Sequence, residues 1–388
     1  MDRTTGEYIP CTAAREPYRA FLPAPLPPEP GIRFDSDLLG GLDRANRALG
    51  RLDGYADVLP DADLFLYHYV RKEALLSSQI EGTQSSYSDL LLFELDEAPG
   101  VPIDDVREVS NYVAALTHGL DRLKGGIPIS LRLFREMHGI LLRGGRGAGK
   151  SPGEFRHSQV WLGGTRPGNA AFVPPPPDKL MECLDPFEKF LHAERDRLPV
   201  LVRAALAHVQ FETIHPFLDG NGRVGRLLIT LMLCEEAVLK QPILYLSLYF
   251  KQNRTEYYDR LQAVRTKGDW EGWLRFFLEG VYLTSREAVE TARAMLKLFE
   301  EDRQRIQGIG RIAGSCLRVH HYLQKSPICR VAWAAQATGI NRTTVSNCLA
   351  QLQELGIVRE ITGQKRNRLF AYDKYLNALA EGTEPLQS

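Results

Sequence analysis

The chain has 388 residues, too long for one ordinary core, so two or three domains are expected. Its 48 basic and 48 acidic residues cancel, and its apolar content is that of a globular protein in water. Bulk charge therefore nominates neither nucleic acid nor membrane as a partner. No apolar run approaches a membrane span, and Met1-Asp2-Arg3-Thr4 opens no signal-like stretch, so a cytoplasmic location without membrane contact is expected. Cys11, Cys183, Cys234, Cys316, Cys329 and Cys348 are scattered, without CxxC pairs or a His at zinc spacing. They read as free thiols in a reducing compartment, with no structural metal.

In chain order, Phe21 to Pro30 is Pro-rich and predicts an extended surface arm. Helical periodicity begins at Asp35. Asp61 or Asp63 caps a predicted helix ending near Ile80, with Leu64, Tyr67, Val70, Leu75 and Ile80 as its apolar stripe and Gly82 as its stop. Further helices are predicted over 104–123, 130–142, 177–193, 199–213, 223–235, 254–267 and 269–303. Between them, Ser158–Leu162, a Gly/Pro-rich turn and Ala170–Val173 predict a β-hairpin. Beyond Gly308–Gly314, a helix over 331–338, a turn at Gly339, a cap at Asn341 and a helix to Leu355 have helix-turn-helix spacing. Residues 356–362 and 368–372 follow as a two-stranded wing.

Gly144-Gly-Arg-Gly-Ala-Gly149-Lys150-Ser151 matches the phosphate-binding P-loop pattern. That pattern works only between a buried strand and a helix whose N–H groups converge on phosphate. Here the preceding residues are helical in period, and Pro152-Gly153 would break the required helix, so a helix-exit loop is expected instead.

The chemistry concentrates in His215-Pro-Phe-Leu-Asp219-Gly-Asn-Gly-Arg223-Val-Gly-Arg226. Gly220-Asn221-Gly222 permits the backbone turns that aim successive N–H groups at an anion, and a helix starting near Arg223 adds its positive end. Arg223 and Arg226 offer forked donors to phosphate oxygens. Asp219 suits a Mg²⁺ bridging phosphates, and His215 suits proton abstraction near neutral pH. Together these parts predict nucleotide phosphate chemistry.

This stretch resembles the Fic motif HPFxDGNGRxxR at every defining position. The resemblance extends from about Ile80 to Tyr282, through Pro152-Gly-Glu-Phe-Arg156, the hairpin and Tyr257-Tyr258, and on into the tail. It implies a mainly α fold: a Fic-type helical core with a β-hairpin flap, followed by a winged helix-turn-helix domain. The expected division is an N-terminal arm and helical region (1–125), the catalytic core (126–283), a long helix or linker (284–310) and the tail domain (311–388). The implied activity is transfer of AMP from ATP to a Tyr, Thr or Ser hydroxyl of a target protein. His215 would be the base and Asp219 the Mg²⁺ ligand. Gly220, Asn221, Gly222, Arg223, Val224, Gly225 and Arg226 would hold the phosphates, with Tyr258 near the adenine and Phe217 as a core anchor.

Ser77-Ser-Gln-Ile-Glu81-Gly82 resembles the family's inhibitory (S/T)xxxE(G/N) motif. A carboxylate at a helix C-terminus is unfavourable by ~0.3–1 kcal/mol, which a solvated surface glutamate tolerates without any special role. The resemblance implies instead that Glu81 pairs with Arg226 and competes with the γ-phosphate, or positions a water for removing AMP. In the hairpin, Gln159, Val160, Trp161 and Leu162 are expected to dock a target segment by strand addition. Residues 311–375 carry ten basic against three acidic side chains, Arg342 and Lys365 to Arg368 among them, so DNA is one expected partner. Protein docking and dimerisation stay open for the same domain. Other partners expected are the target protein, the chain itself through self-modification, and a second copy. Two alternatives remain: an AMP-removing hydrolase, and a transcriptional regulator with an ATP-sensing core.

Overall fold

The computed structural model describes residues 3–13, 16–57, 62–95, 101–193, 198–364 and 366–386. The candidate cap Asp61 and the basic Lys365 lie outside them.

The N-terminal arm is not a lone extended segment. It is an antiparallel hairpin of β1 (Gly6–Ala13) and β2 (Glu16–Pro23), with Tyr8 opposite Phe21 and Ile9 opposite Ala20. Each strand of a two-stranded ribbon has an outer edge, so prolines fit within it, and Ala20 and Phe21 are buried. Arg3 fastens the chain beyond β2, donating to the carbonyls of Pro30 (2.7 Å) and Gly31 (2.8 Å) and to the Glu271 carboxylate (2.5 Å).

The helical body comprises α1 (Ser36–Asp57), α2 (Ala62–Ile80), α3 (Tyr87–Glu94), α4 (Ile103–Lys124), α5 (Leu131–Leu141), α6 (Leu180–Ala193), α7 (Val200–Ile214), α8 (Asn221–Glu235), α9 (Ser247–Gln252), α10 (Arg254–Lys267) and α11 (Trp270–Gln307). The sequence leaves α3 and α9 unpredicted. Both are short, and α3 is set by a reciprocal cap between Ser86 and Asp89 rather than by an amphipathic period. The helices α7 and α8 pack against each other with nearly every side chain buried. Trp273 of α11 seals that pair, its indole N–H donating to the Ala205 carbonyl at 3.0 Å.

The segment expected as a flap hairpin is barely a sheet. Among the described residues it forms one antiparallel bridge, Leu162 to Phe172, around a 3-10 turn at Pro167–Asn169. Gly163 and Gly164 both take positive φ, and Pro174 to Pro177 remove donors from the exit, so no ladder can propagate. Beside it runs β2, whose Phe21 N–H donates to the Val173 carbonyl at 2.9 Å. The glycine-rich stretch 144–151 follows helix α5 and consists of turns, without the strand a P-loop needs.

Past α11 come α12 (Ala313–Lys325), β3 (Ile328–Arg330), α13 (Val331–Thr338), α14 (Arg342–Glu354), β4 (Arg359–Glu360), β5 (Leu369–Ala371) and α15 (Asp373–Ala380). Gly339 makes the turn at φ 65°, and the Asn341 side chain accepts from the Thr344 N–H at 2.8 Å. The expected two strands gain a third, in the antiparallel order β3-β5-β4. The chain then returns to the helical body. Gln79 of α2 donates to the Thr383 carbonyl at 2.7 Å, and Lys251 donates to that of Gly382 at 3.1 Å. Gly382 sits at φ 77°, where a Cβ would come within 2.7 Å of Leu248. Among the described residues no helix is long and apolar enough to cross a membrane.

Replacing Trp273 by Ala should leave a cavity between α7 and α11 and remove the indole hydrogen bond to the Ala205 carbonyl. A loss of about 3–5 kcal/mol is expected by chemical denaturation. An unchanged midpoint would show that α11 does not secure this pair.

Candidate active site

Helix α7 ends because Pro216 follows His215, which takes the left-handed conformation (φ 52°) as its C-cap. That strain for a non-glycine residue is over-determined by Arg156. Its buried guanidinium donates to the carbonyls of His215 (2.8 Å) and Pro175 (2.5 Å), and its own N–H donates to the Pro216 carbonyl at 2.9 Å. The His215 Nδ1 lies 3.3 Å from the Glu212 carbonyl, a contact that suits a proton on Nδ1 and leaves Nε2 as acceptor. Burial first, then the charges of Arg265 and Arg156, push its pKa down to about 3, so the ring is neutral at physiological pH.

Downstream, the loop is closed from inside. Asn221 accepts from the Phe217 N–H at 2.8 Å and donates to the Phe217 carbonyl at 2.9 Å, so its side chain builds the loop. Phe217 is fully buried and stacks on His138 with ring centres 3.8 Å apart. His138 Nδ1 accepts from the Gly153 N–H at 2.9 Å, which assigns its proton to Nε2, 3.0 Å from the Asp219 carbonyl. This ring ties the Pro152–Arg156 stretch to the motif loop. Gly220 turns at φ 78° to begin α8, and the Val224 N–H is the first to reach an acceptor inside the helix, the Gly220 carbonyl. The preceding N–H groups are left for an anion.

A carboxylate stands against this first turn. The Glu81 carboxylate lies over Gly222 so closely that a Cβ on Gly222 would be 2.1 Å from its Oε1. The same oxygen accepts from Arg226 at 2.6 Å, while Ser77 receives the Arg226 Nε at Oγ (2.8 Å) and Nη2 at its carbonyl (2.9 Å). Burial raises the pKa of Glu81, but Arg226, Arg223 and His215 outweigh it and hold the carboxyl below its ordinary value. The C-terminal carbonyl of α2, at Ile80, is met by Arg254 at 3.2 Å.

The two motif arginines have different partners. Arg223 is buried and pairs with Glu108 of α4 at 3.0 Å. Glu108 also takes Arg146, from the glycine-rich stretch, at 2.7 Å. Asp219 is half-exposed, 3.7 Å from Arg223, with its Oδ1 accepting from the Gly220 N–H at 2.6 Å. Among the described residues no group of three or more His, Cys, Asp or Glu side chains could cage a metal. A lone half-exposed carboxylate beside free N–H groups fits an ion held mainly by phosphate and water. Val224 and Gly225 are buried in α8, while Tyr258 is exposed beside Tyr257, with Arg254 over its ring at 5.4 Å.

Of the flap residues, Gln159 is spent locally, donating to the carbonyls of Val160 and Pro174, and Leu162 makes the single bridge to Phe172. Trp161 is exposed. Sequence reasoning gave no role to His138, Arg156, Glu108 or Glu212. Only Arg156 left a signal, as part of the Pro152–Arg156 stretch; the others look like ordinary helical polar residues.

The chain matches the Fic/DOC family N-terminal profile over residues 39–121 and the Fic/DOC family profile over residues 128–233. It is 35% identical to the protein adenylyltransferase Fic of Culex quinquefasciatus over 182 residues, which is 46% of this chain and 33% of that protein. With the enzyme of the same name from Aedes aegypti it shares 31% over 247 residues, 63% of this chain and 44% of that one. It thus spans less than half the length of these curated relatives. Among solved structures, a Fic family protein from Desulfovibrio desulfuricans G20 superposes with a TM-score of 0.58 at 18% identity, covering 88% of this chain and 97% of that one. Fic-1 (residues 134–508) from C. elegans gives 0.50 at 26% identity, covering 67% and 74%.

The lowered pKa of Glu81 has a stability consequence. Its pairing stabilises the fold above the unfolded carboxylate pKa and is lost as pH falls through the lower folded value. The stability gap between the parent and Glu81→Gln should therefore hold steady near neutrality and close below about pH 4. Urea titrations across pH measure it; a gap that ignores pH would deny the ion pair any role in stability.

Proposed function

Because this chain belongs to the Fic/DOC family, we propose that it transfers AMP from ATP to a hydroxyl of a target protein and that Glu81 restrains the reaction. The observation that carries this reading is the position of the Glu81 carboxylate, on Arg226 and directly over the N-terminus of α8. A guanidinium that holds an internal carboxylate against the first turn of a helix can hold a phosphate in its place.

In the reaction, the hydroxyl of a Tyr, Thr or Ser loses its proton to His215 Nε2 as its oxygen attacks the α-phosphorus. The bond from that phosphorus to the β-phosphate oxygen breaks and pyrophosphate leaves. The free N–H groups at the start of α8 are aimed where negative charge accumulates, and they need no reorganisation when it does. Arg226 would hold the far phosphates once free of Glu81. Asp219 would hold a Mg²⁺, whose chemistry when bound is neutralisation of the charge on the leaving pyrophosphate. Tyr258, half in solvent beside Arg254, would offer a ring face to the adenine. Trp161 is the exposed flap side chain available to a target segment.

Glu81 works by competition. If separating it from Arg226 costs a few kcal/mol, productive ATP binding is reduced by about 10²–10³. The same carboxylate beside His215 could position a water for removing AMP, which makes hydrolysis the second activity to test.

The tail supports a separate partner proposal. Its elements have the order of a winged helix-turn-helix, with Arg342 and Thr343 exposed at the start of α14 and Arg366 and Asn367 exposed beyond β4. DNA is the partner of matching charge. Affinity for a random duplex should fall steeply between 50 and 200 mM salt, and Arg342→Ala should weaken it. Fluorescence anisotropy reads both; salt-independent or absent binding leaves protein docking as the tail's role.

With α-³²P-ATP and Mg²⁺, Glu81→Gly should label itself or lysate proteins at least about 10-fold more than the parent. Adding His215→Ala should abolish the label, and γ-³²P-ATP should give none. Equal labelling by parent and Glu81→Gly would remove the inhibitory reading. Label from γ-³²P-ATP would replace AMP transfer with phosphate transfer. Release of AMP from a pre-modified protein by the parent, and not by Glu81→Gly, would favour the hydrolase.

A further inference from the structure

His215 is poorly placed to act as a base by itself. Its ring is enclosed, and the guanidiniums of Arg265 and Arg156 face it, so the surroundings oppose the positive charge that proton abstraction creates. A base in such a place needs a negative neighbour if it is to accept a proton near neutral pH.

Two carboxylates answer to this: Glu81, whose charge favours the imidazolium, and Glu212 one turn earlier on α7, whose pKa burial raises to about 7, so that it carries its full charge only above neutrality. The left-handed turn at His215 swings the imidazole back over Glu212, whose carboxylate Oε2 lies 4.0 Å from Nδ1 while its backbone carbonyl lies at 3.3 Å. Glu212 is buried, and its Oε1 has no hydrogen-bond partner. Room for that oxygen is made by Gly225 of the motif, where a Cβ would come within 2.7 Å of it. The charged groups facing Glu212 are Arg226 on α8, Arg265 on α10 and Glu81 on α2. His208 of α7 lies against the same glycine, and Tyr257 of α10 hydrogen-bonds His208 at 2.8 Å. An incompletely bonded carboxylate is unfavourable in a packed interior, and a glutamine of the same shape would be easier to bury. Stability does not explain this residue.

We propose that Glu212 is the positioning residue of His215: it holds the Nδ1 side of the ring and stabilises the imidazolium formed when Nε2 takes the target's proton. The inference rests on the AMP-transfer reading. In the step, the target O–H bond breaks and Nε2–H forms. The target oxygen bonds to the α-phosphorus, pyrophosphate leaves with its bridging oxygen, and the Nδ1 proton stays directed at Glu212. The arrangement is that of a base oriented by a third group.

The test uses the full chain with Glu81→Gly as parent, adding Glu212→Gln or Glu212→Asp. Initial rates of label transfer from α-³²P-ATP give kcat and KM; calorimetry with α,β-methylene-ATP gives Kd, and a melt gives Tm. Glu212→Gln should keep Tm at or above the parent and Kd within 2-fold, and lose about 10- to 100-fold in kcat. Glu212→Asp, which keeps the charge but loosens the packing, should retain more activity than Glu212→Gln. A kcat for Glu212→Gln within 2-fold of the parent, or the opposite order of Asp and Gln, would overturn the proposal. Failure of Glu81→Gly itself to transfer label would overturn the AMP-transfer reading first, and this inference with it.

Discussion

The Arg226 guanidinium is buried in the middle of the helical body, and a buried cation must be met by acceptors. Three acceptors come from one turn of α2: the Ser77 hydroxyl, the Ser77 carbonyl and the Glu81 carboxylate. This requirement fixes where α2 ends relative to α8. It places a carboxylate against Gly222 in the first turn of α8, and it offsets the unfavourable position of that carboxylate at a helix C-terminus. The N-terminal region and the motif helix are thereby joined through a charge that the proposed chemistry would also use. A phosphate able to replace Glu81 would satisfy the same guanidinium, so the exchange conserves buried charge pairing.

The surrounding helices turn this local pairing into a rigid frame. Arg223 is held by Glu108 of α4, so both motif arginines are neutralised from the N-terminal region. Glu108 also restrains Arg146, which ties the glycine-rich exit of α5 to the same network. Beneath the loop, His138 and Arg156 hold carbonyls of the motif, and Asn221 closes it from within. Strain at His215 is sustained because so many groups agree on its position.

The C-terminal elements are fastened to the same frame. Tyr372 reaches Asp302 of α11 at 2.7 Å, and the last described turn meets Gln79 and Lys251. Gln79 is two residues from Glu81, so the segment after α15 contacts the helix that leads to the Glu81 carboxylate.

Where periodicity ran long the sequence was explicit. The helices α4, α5, α7, α8 and α10 lie close to their predicted ranges, because an amphipathic or fully apolar face repeats over enough turns to be read locally. The motif itself was legible because its parts are contiguous: base, carboxylate, glycines and arginines within twelve residues. Short elements without period, α3, α9 and the two-stranded ribbon β1–β2, were not. The hairpin expected at 158–173 shrank to one bridge, because glycines and prolines there permit a turn but not a ladder. Apart from Glu81, whose pairing with Arg226 the resemblance implied, which partner each charge meets was decided by tertiary structure. Glu108 and Glu212 look like any polar residue on a helix, and only packing 115 residues apart brings Glu108 to Arg223. One chain segment can specify a loop and its backbone donors. The counter-charges come from helices remote in sequence, and the need to pair buried ions fixes them only once those helices have packed.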